Sequence, residues 1–258
     1  MPRSREDDRW IRRFHPDGPG DVQLVCFPHA GGSASYYFPM SKAMPPEIDA
    51  LVLQYPGRQD RRHEPPVDSV PRLADQIFAV LADRLSPRFA FFGHSMGAVV
   101  AYEVARRFAA ERGTAPLWFF ASGRRAPSRR RPGTVHTMDD AELIAELGRV
   151  GGTDARLLRD EELLASILPA VRNDYRAIER YAWTPGPPVD CPVTVLVGES
   201  DPQTTVDEAI AWQEHFTGTC DLRVFPGGHF YLEDASAEVI DTVVGTLGAA
   251  RALGGSRA

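Results

Sequence analysis

The sequence predicts an α/β fold: a mostly parallel central sheet flanked by helices, with a helical lid inserted into it. Three observations support this. Short apolar runs alternate with longer amphipathic stretches along the 258 residues. The apolar runs are mostly continuous rather than alternating, the pattern of strands covered on both faces. The stretches between them can serve as crossover helices, which makes successive strands parallel with right-handed connections. We read residues 1–258 as one domain and residues 125–188 as a lid subdomain inserted within it.

Taken in order, the strands are expected at Val22–Pro28, Ala50–Tyr55, Arg88–Gly93, Leu117–Ser122, Val193–Gly198 and Leu222–Phe225. A helix is expected over Ser69–Leu85, where Val70, Leu73, Ile77, Val80 and Leu81 recur near a 3.6-residue period. Further helices are expected over Ala98–Arg112, Thr204–Phe216 and Ala235–Ala250. From about Arg125 to Pro188 no good strand is visible. Two or three helices are read there instead, around Asp139–Val150, Glu161–Val171 and Asn173–Ala182, bracketed by Arg- and Pro-rich segments. An all-helical insertion between two strands is a natural lid over a site; a structural cap with no gating role is the plainer alternative. Leu143, Leu147, Leu164, Ile167, Leu168 and Val171 fall at helical spacing. Most of them are expected to pack the insertion on the sheet, and a minority to line a chamber. The tail Gly254–Ala258 is expected to be disordered.

Composition narrows the function. A net charge of −6 argues against nucleic-acid binding, which needs a basic surface. No apolar stretch is long enough to span a bilayer, and the charged start MPRSREDDRW lacks an apolar signal segment. Cys26, Cys191 and Cys220 are widely separated and have no metal-ligand spacing; Cys26 and Cys191 read as buried thiols. A cytoplasmic protein with no metal or cofactor, and nothing demanding more than a monomer, fits these features.

The chemistry centres on Gly93-His94-Ser95-Met96-Gly97. An apolar run, Phe89–Phe92, enters this G-x-S-x-G and a helical pattern from Ala98 leaves it, the context of a nucleophile elbow. The turn strains the backbone at Ser95, so its neighbours must be small, and Gly93 and Gly97 provide the room. A serine hydroxyl needs a base. His229, in Pro226-Gly227-Gly228-His229-Phe230 after the last strand, is the candidate. His94 is held in the elbow and should point away, whereas His215, on a helix, and His15, His63 and His136, in polar loops, read as solvated or locally hydrogen-bonded. The base needs an acid to set its tautomer, and Asp201, just past the penultimate strand, is favoured over Glu199. The chain order Ser95, Asp201, His229 is that of the α/β-hydrolase fold. Two N–H donors must hold an oxyanion. They are assigned to Met96, after the nucleophile, and Ala30, in the loop Phe27-Pro28-His29-Ala30-Gly31-Gly32; His29 is taken as structural there.

With these residues in place, the chain resembles the type II (editing) thioesterases that accompany polyketide and non-ribosomal peptide synthases. The likeness covers nearly the whole chain. It runs through Trp10 and Phe14, Cys26-Phe27-Pro28-His29-Ala30-Gly31-Gly32-Ser33-Ala34, Gln54-Tyr55-Pro56-Gly57-Arg58-Gln59-Asp60-Arg61, the elbow, and Gly227-Gly228-His229-Phe230. It implies hydrolysis of acyl thioesters on the phosphopantetheine arm of an acyl or peptidyl carrier protein, clearing stalled or misprimed acyl groups. It also implies a lid between the strands ending near Ser122 and beginning near Val193.

Arg124, Arg125, Arg129, Arg130 and Arg131 read first as a solvated basic loop and second as a docking patch for an acidic carrier protein. Arg58 and Arg61 are expected to stabilise their own loop. Three rivals stand beside the thioesterase reading: a carboxylesterase or lipase on free oxygen esters, a product-releasing thioesterase or cyclase, and a non-catalytic binding protein on the same scaffold.

Overall fold

A computed structural model describes residues 9–15, 20–152 and 160–255, with side chains through residue 252. Its sheet contains β1 (Ile11–Arg12), β2 (Val22–Phe27), β3 (Ile48–Leu53), β4 (Phe89–His94), β5 (Trp118–Ser122), β6 (Val193–Gly198) and β7 (Cys220–Phe225). The spatial order is β1-β3-β2-β4-β5-β6-β7. All neighbours are parallel except β1, which runs antiparallel to β3. Every residue of β2, β3, β4 and β6 is buried, as their mostly continuous hydrophobicity demands; the edge strands β1 and β7 are partly open, as is Trp118 at the start of β5.

The helices divide between the two faces. One face packs against α2 (Val70–Leu81), α3 (Met96–Arg107) and α6 (Val206–Ile210) through residues such as Ile77, Val100 and Ala209. The other packs against α1 (Phe38–Ala43) and α8 (Ser236–Gly255) through Met40, Val239, Val243 and Leu247, with the short α7 (Tyr231–Asp234) alongside. Residues of β2 split accordingly: Val25 and Phe27 join the first core, Val22, Leu24 and Cys26 the second. Helix α2 starts at Ser69, whose side chain accepts the Arg72 N–H, with a proline in the first turn.

Between β5 and β6 lie α4 (Asp140–Val150) and α5 (Glu161–Glu179). Asp139 and Glu142 form a capping box at the start of α4. The structure corrects the sequence reading here. The expected helices Glu161–Val171 and Asn173–Ala182 are one continuous helix that ends at Glu179 and tolerates Pro169 in its interior. One buried stripe, including Leu164, Leu168, Val171 and Ile178, runs along its length, so packing overrides the local break. The leucines of the insertion are also corrected. Leu143, Leu147, Leu164, Leu168 and Val171 pack on one another as a third core rather than on the sheet. Of α4 and α5, the C-terminal part of α5 joins the main core through Ala177 and Ile178, as does Ala126 at the start of the insertion.

Smaller differences have local reasons. Two-residue β1 was too short to read from sequence; it is held by the Gln54 N–H donating to Trp10 O and by the Arg61 guanidinium over the Trp10 ring, 4.2 Å from its centroid. The segment expected as a helix over Thr204–Phe216 is α6 followed by a 3₁₀ turn, Ala211–His215. Helix α8 reaches Gly255, two residues into the expected disordered tail, and the remainder of that tail lies outside the described residues. No helix among the described residues is long and apolar enough to cross a membrane.

Candidate active site

Ser95 sits between β4 and α3 with φ 53° and ψ −119°, a left-handed backbone that a non-glycine residue adopts only when its surroundings hold it there. Its N–H donates to Ser122 O at 2.8 Å. The glycines of the elbow are steric necessities. A Cβ on Gly97 would lie 2.0 Å from Phe27 O, and one on Gly93 would lie 2.4 Å from Gly97 O. Helix α3 can therefore pack directly on the end of β2, which carries the loop 28–32 beside the serine.

Asp201 follows β6 and His229 follows β7, and backbone bonds lock the two loops together. Ser200 N–H donates to Gly227 O at 3.0 Å, and a Cβ on Gly198 would sit 2.1 Å from Gly228 O. The expected residues meet: His229 Nε2 lies 2.9 Å from Ser95 Oγ, and His229 Nδ1 lies 2.8 and 3.0 Å from the Asp201 carboxylate oxygens. The Asp201 side chain is fully buried, and its Oδ1 also accepts the Gln203 N–H. Glu199, the alternative acid, is exposed. In this arrangement Nδ1–H faces the carboxylate and leaves Nε2 free to accept the serine proton.

Two more histidines surround His229. His94 lies beside it with ring centroids 5.1 Å apart and is bonded through Nδ1 to Ser122 Oγ at 2.9 Å. His29 packs edge-on against Tyr36 and Phe230. Burial, and secondarily the charge of His229, pushes His29 down to about 3 and His94 well below the usual imidazole value. Both are therefore neutral near pH 7, so neither opposes a positive charge forming on His229. His215, expected to be solvated or locally hydrogen-bonded, is not solvated: it is buried and bonded to Tyr102 OH and Ser128 Oγ.

Ser95 and His229 open onto a cavity of about 620 Å³ whose wall includes Ala30 and Met96. The Met96 N–H is in the first turn of α3 and so has no acceptor in the preceding turn. The far wall comes from the insertion: Leu147 and Val150 of α4, and Leu163, Ile167, Ala170 and Val171 of α5. A polar corner holds Arg124, Tyr175 and Gln203. Among the described residues the Arg124 guanidinium has no hydrogen-bond or ion-pair partner, and burial, then Arg125, pushes its pKa down to about 9. The basic run is thus mostly engaged with the protein: Arg125 donates to Gln203 O, Arg129 pairs with Glu214 and Arg131 with Glu208. Asp174, Tyr175 and Gln203 went unnoticed in the sequence. The signal for Asp174 was a polar Asn173-Asp174 pair inside an otherwise amphipathic helix.

A family model of the thioesterase domain matches residues 22–247. The chain belongs to this thioesterase family. The thioesterase PikA5 of Streptomyces venezuelae is 47% identical over 235 residues, covering 91% of this chain and 84% of the relative. Thioesterase TesA of Mycobacterium marinum is 39% identical over 227 residues, covering 87% and 90%. Among solved structures, the type II thioesterase BorB from the borrelidin biosynthetic cluster superposes with a TM-score of 0.88 at 47% identity, covering 93% of this chain and 98% of that one. The RedJ thioesterase of the prodiginine pathway in Streptomyces coelicolor gives 0.84 at 35% identity, covering 89% and 94%. The sheet is accordingly that of an α/β-hydrolase, and this thioesterase is a hydrolase of the type II group.

Proposed function

We propose that the enzyme hydrolyses acyl thioesters carried on the phosphopantetheine arm of acyl or peptidyl carrier proteins, removing stalled or misprimed acyl groups in polyketide or non-ribosomal peptide biosynthesis. The observation that carries this reading is the Ser95–His229–Asp201 relay at the mouth of a cavity walled by apolar residues. Ser95 is the nucleophile, His229 the base and Asp201 the acid that orients it. Ser95 Oγ attacks the thioester carbonyl carbon as His229 Nε2 takes its proton, while Nδ1–H remains bonded to Asp201. The Met96 and Ala30 N–H groups hold the tetrahedral oxyanion. Collapse breaks the C–S bond, and the pantetheine sulfur leaves with the proton from Nε2. Water, activated by the same imidazole, then releases the acid and restores Ser95.

The acyl group occupies the cavity, and residues 125–188 form a lid over it within a single domain. The apolar wall suits an aliphatic chain, because burying each methylene contributes about 0.8 kcal/mol. The comparisons lend support, since the structural relatives include ClbQ from the colibactin NRPS/PKS pathway and the type II thioesterase YbtT from the yersiniabactin NRPS/PKS pathway. The deciding experiment compares kcat/KM for an acyl-carrier thioester with that for a small oxygen ester of the same acyl group. A clear preference for the thioester is expected; equal or better turnover of the oxygen ester would return the carboxylesterase reading.

A further inference from the structure

The loop 29–32 offers three consecutive N–H groups near Ser95, and two of them are already taken. Gly32 N–H donates to His29 O at 3.0 Å, closing the turn. Gly31 N–H donates to Asp174 Oδ2 at 2.8 Å. Only the Ala30 N–H has no acceptor among the described residues, and Ala30 lines the cavity.

Asp174 belongs to α5, far along the chain from this loop, and is 1% exposed. It is held by a two-pronged ion pair: Arg58 Nη1 donates to Oδ2 at 2.7 Å and Nη2 to Oδ1 at 3.0 Å. Arg58 Nη1 also reaches Gly32 O at 3.0 Å, so the guanidinium grips the loop as well as the helix. Gly31 has φ +74°, and a Cβ on it would meet Val171 Cγ2 at 2.5 Å. Two side chains of α5 and one arginine of the Tyr55–Arg58 loop therefore fix the backbone that flanks Ala30. Arg58 lines the cavity and Asp174 does not, and neither is given a step in the mechanism above.

We infer that Asp174 and Arg58 are positioning residues: Asp174, from the helical insertion, accepts the Gly31 N–H, and Arg58, from the loop after β3, clamps Asp174 and Gly32 O, so that the Ala30 N–H is held to complete the oxyanion hole. This inference rests on the assignment of Ala30 as an oxyanion donor. A carboxylate accepting one N–H and a bidentate guanidinium is a rigid arrangement, and catalytic donors lose effect when displaced by tenths of an ångström.

The test uses the full-length enzyme with a short-acyl thioester and a trifluoromethyl ketone analogue, whose hemiketal adduct with Ser95 carries the oxyanion. Variants are Asp174→Ala, Asp174→Asn, Arg58→Lys and the apolar pair Arg58→Met with Asp174→Leu, which removes both charges together and keeps the volume. For variants that fold, kcat should fall about 10- to 100-fold, below the 10²–10³ lost with a whole donor. Analogue affinity should fall in parallel, while KM and the pH profile of kcat stay close to wild type. Asp174→Asn, which keeps an acceptor for Gly31, should recover part of the loss. If the single variants fail to fold, the double variant decides. A double variant with native melting behaviour and with kcat and analogue affinity within threefold of wild type would overturn the inference. A wild-type enzyme inactive on thioesters would sink the functional reading instead, so the two failures are distinguishable.

Discussion

The crest of the sheet and the helical insertion face the same cavity but are held by different forces. At the crest, position is set by backbone against backbone: Ser95 N–H on Ser122 O, Gly97 pressed on Phe27 O, and Gly198 on Gly228 O. Nothing there can relax by choosing another rotamer. The insertion is built from side chains, with its own core of Leu143, Leu147, Leu164, Leu168 and Val171, and is joined to the loops beside the serine by Asp174. Such a region can repack around a substitution, because interiors tolerate volume-conserving changes better than backbone displacement. Residues that would carry the chemistry thus sit on the rigid part, and the wall that meets the acyl chain sits on the adaptable part.

The largest test of that contrast is Ser95→Ala, which should lower kcat roughly 10⁶-fold with an unchanged melting temperature. Steady-state kinetics and thermal unfolding on the same preparation check both halves. Next comes Gly97→Ala. The added Cβ forces α3 away from β2, and kcat should drop about 100-fold, as expected for a misplacement near 1 Å, with a stability loss of about 1–3 kcal/mol. A variant with wild-type kcat would show that the crest can yield after all.

Leu143→Ala empties a fully buried position of the third core and should cost about 2–5 kcal/mol of local stability. Amide exchange should rise in α4 and α5 while protection in α3 stays intact; equal loss in α3 would mean the two regions unfold as one. Acid provides a further measure. Burial pushes His215 down to about 4, alongside His29 and His94 at the crest. The unfolded chain takes up these protons near pH 6.5, whereas the folded chain does so only below those depressed values. Their stabilisation is complete above pH 6.5 and declines as the pH falls towards 4, by up to about 1.4 kcal/mol per pH unit for each histidine. Urea midpoints from pH 7 to 5 should follow that slope, and His215→Asn should flatten it. The smallest expected effect is on specificity. Ile167→Phe narrows the cavity from the adaptable side and should shift preference towards shorter acyl chains by about tenfold in kcat/KM, with little change for acetyl.

Legibility in the sequence followed the range of the physical cause. The elbow could be read because its requirement for small residues is met within five consecutive positions. Strands β2, β4 and β6 could be read because burial on both faces writes a continuous apolar run. Strand β1 could not, since two residues carry no pattern and their order depends on Arg61 and Gln54 far along the chain. The unity of α5 was hidden because its stabilising stripe counts only once the partners of Leu164 and Ile178 are known. Arg58 could be read only as stabilising its own loop; its hold on the helical insertion depends on Asp174, 116 residues away.

By itself the sequence determined the alternation of strands and helices, the strained turn at Ser95 and the order in which serine, acid and base follow one another. These are consequences of neighbours along the chain: residue size, backbone freedom and hydrophobic period. Only the tertiary structure decided that α4 and α5 keep a core of their own, that Arg124 and Arg125 turn inward while Arg129, Arg130 and Arg131 stay exposed, and that Asp174 takes the N–H beside Ala30. The physical reason is that a buried charge or a satellite core is stable only with a partner brought in from elsewhere, and a linear chain does not state which distant residue will supply it.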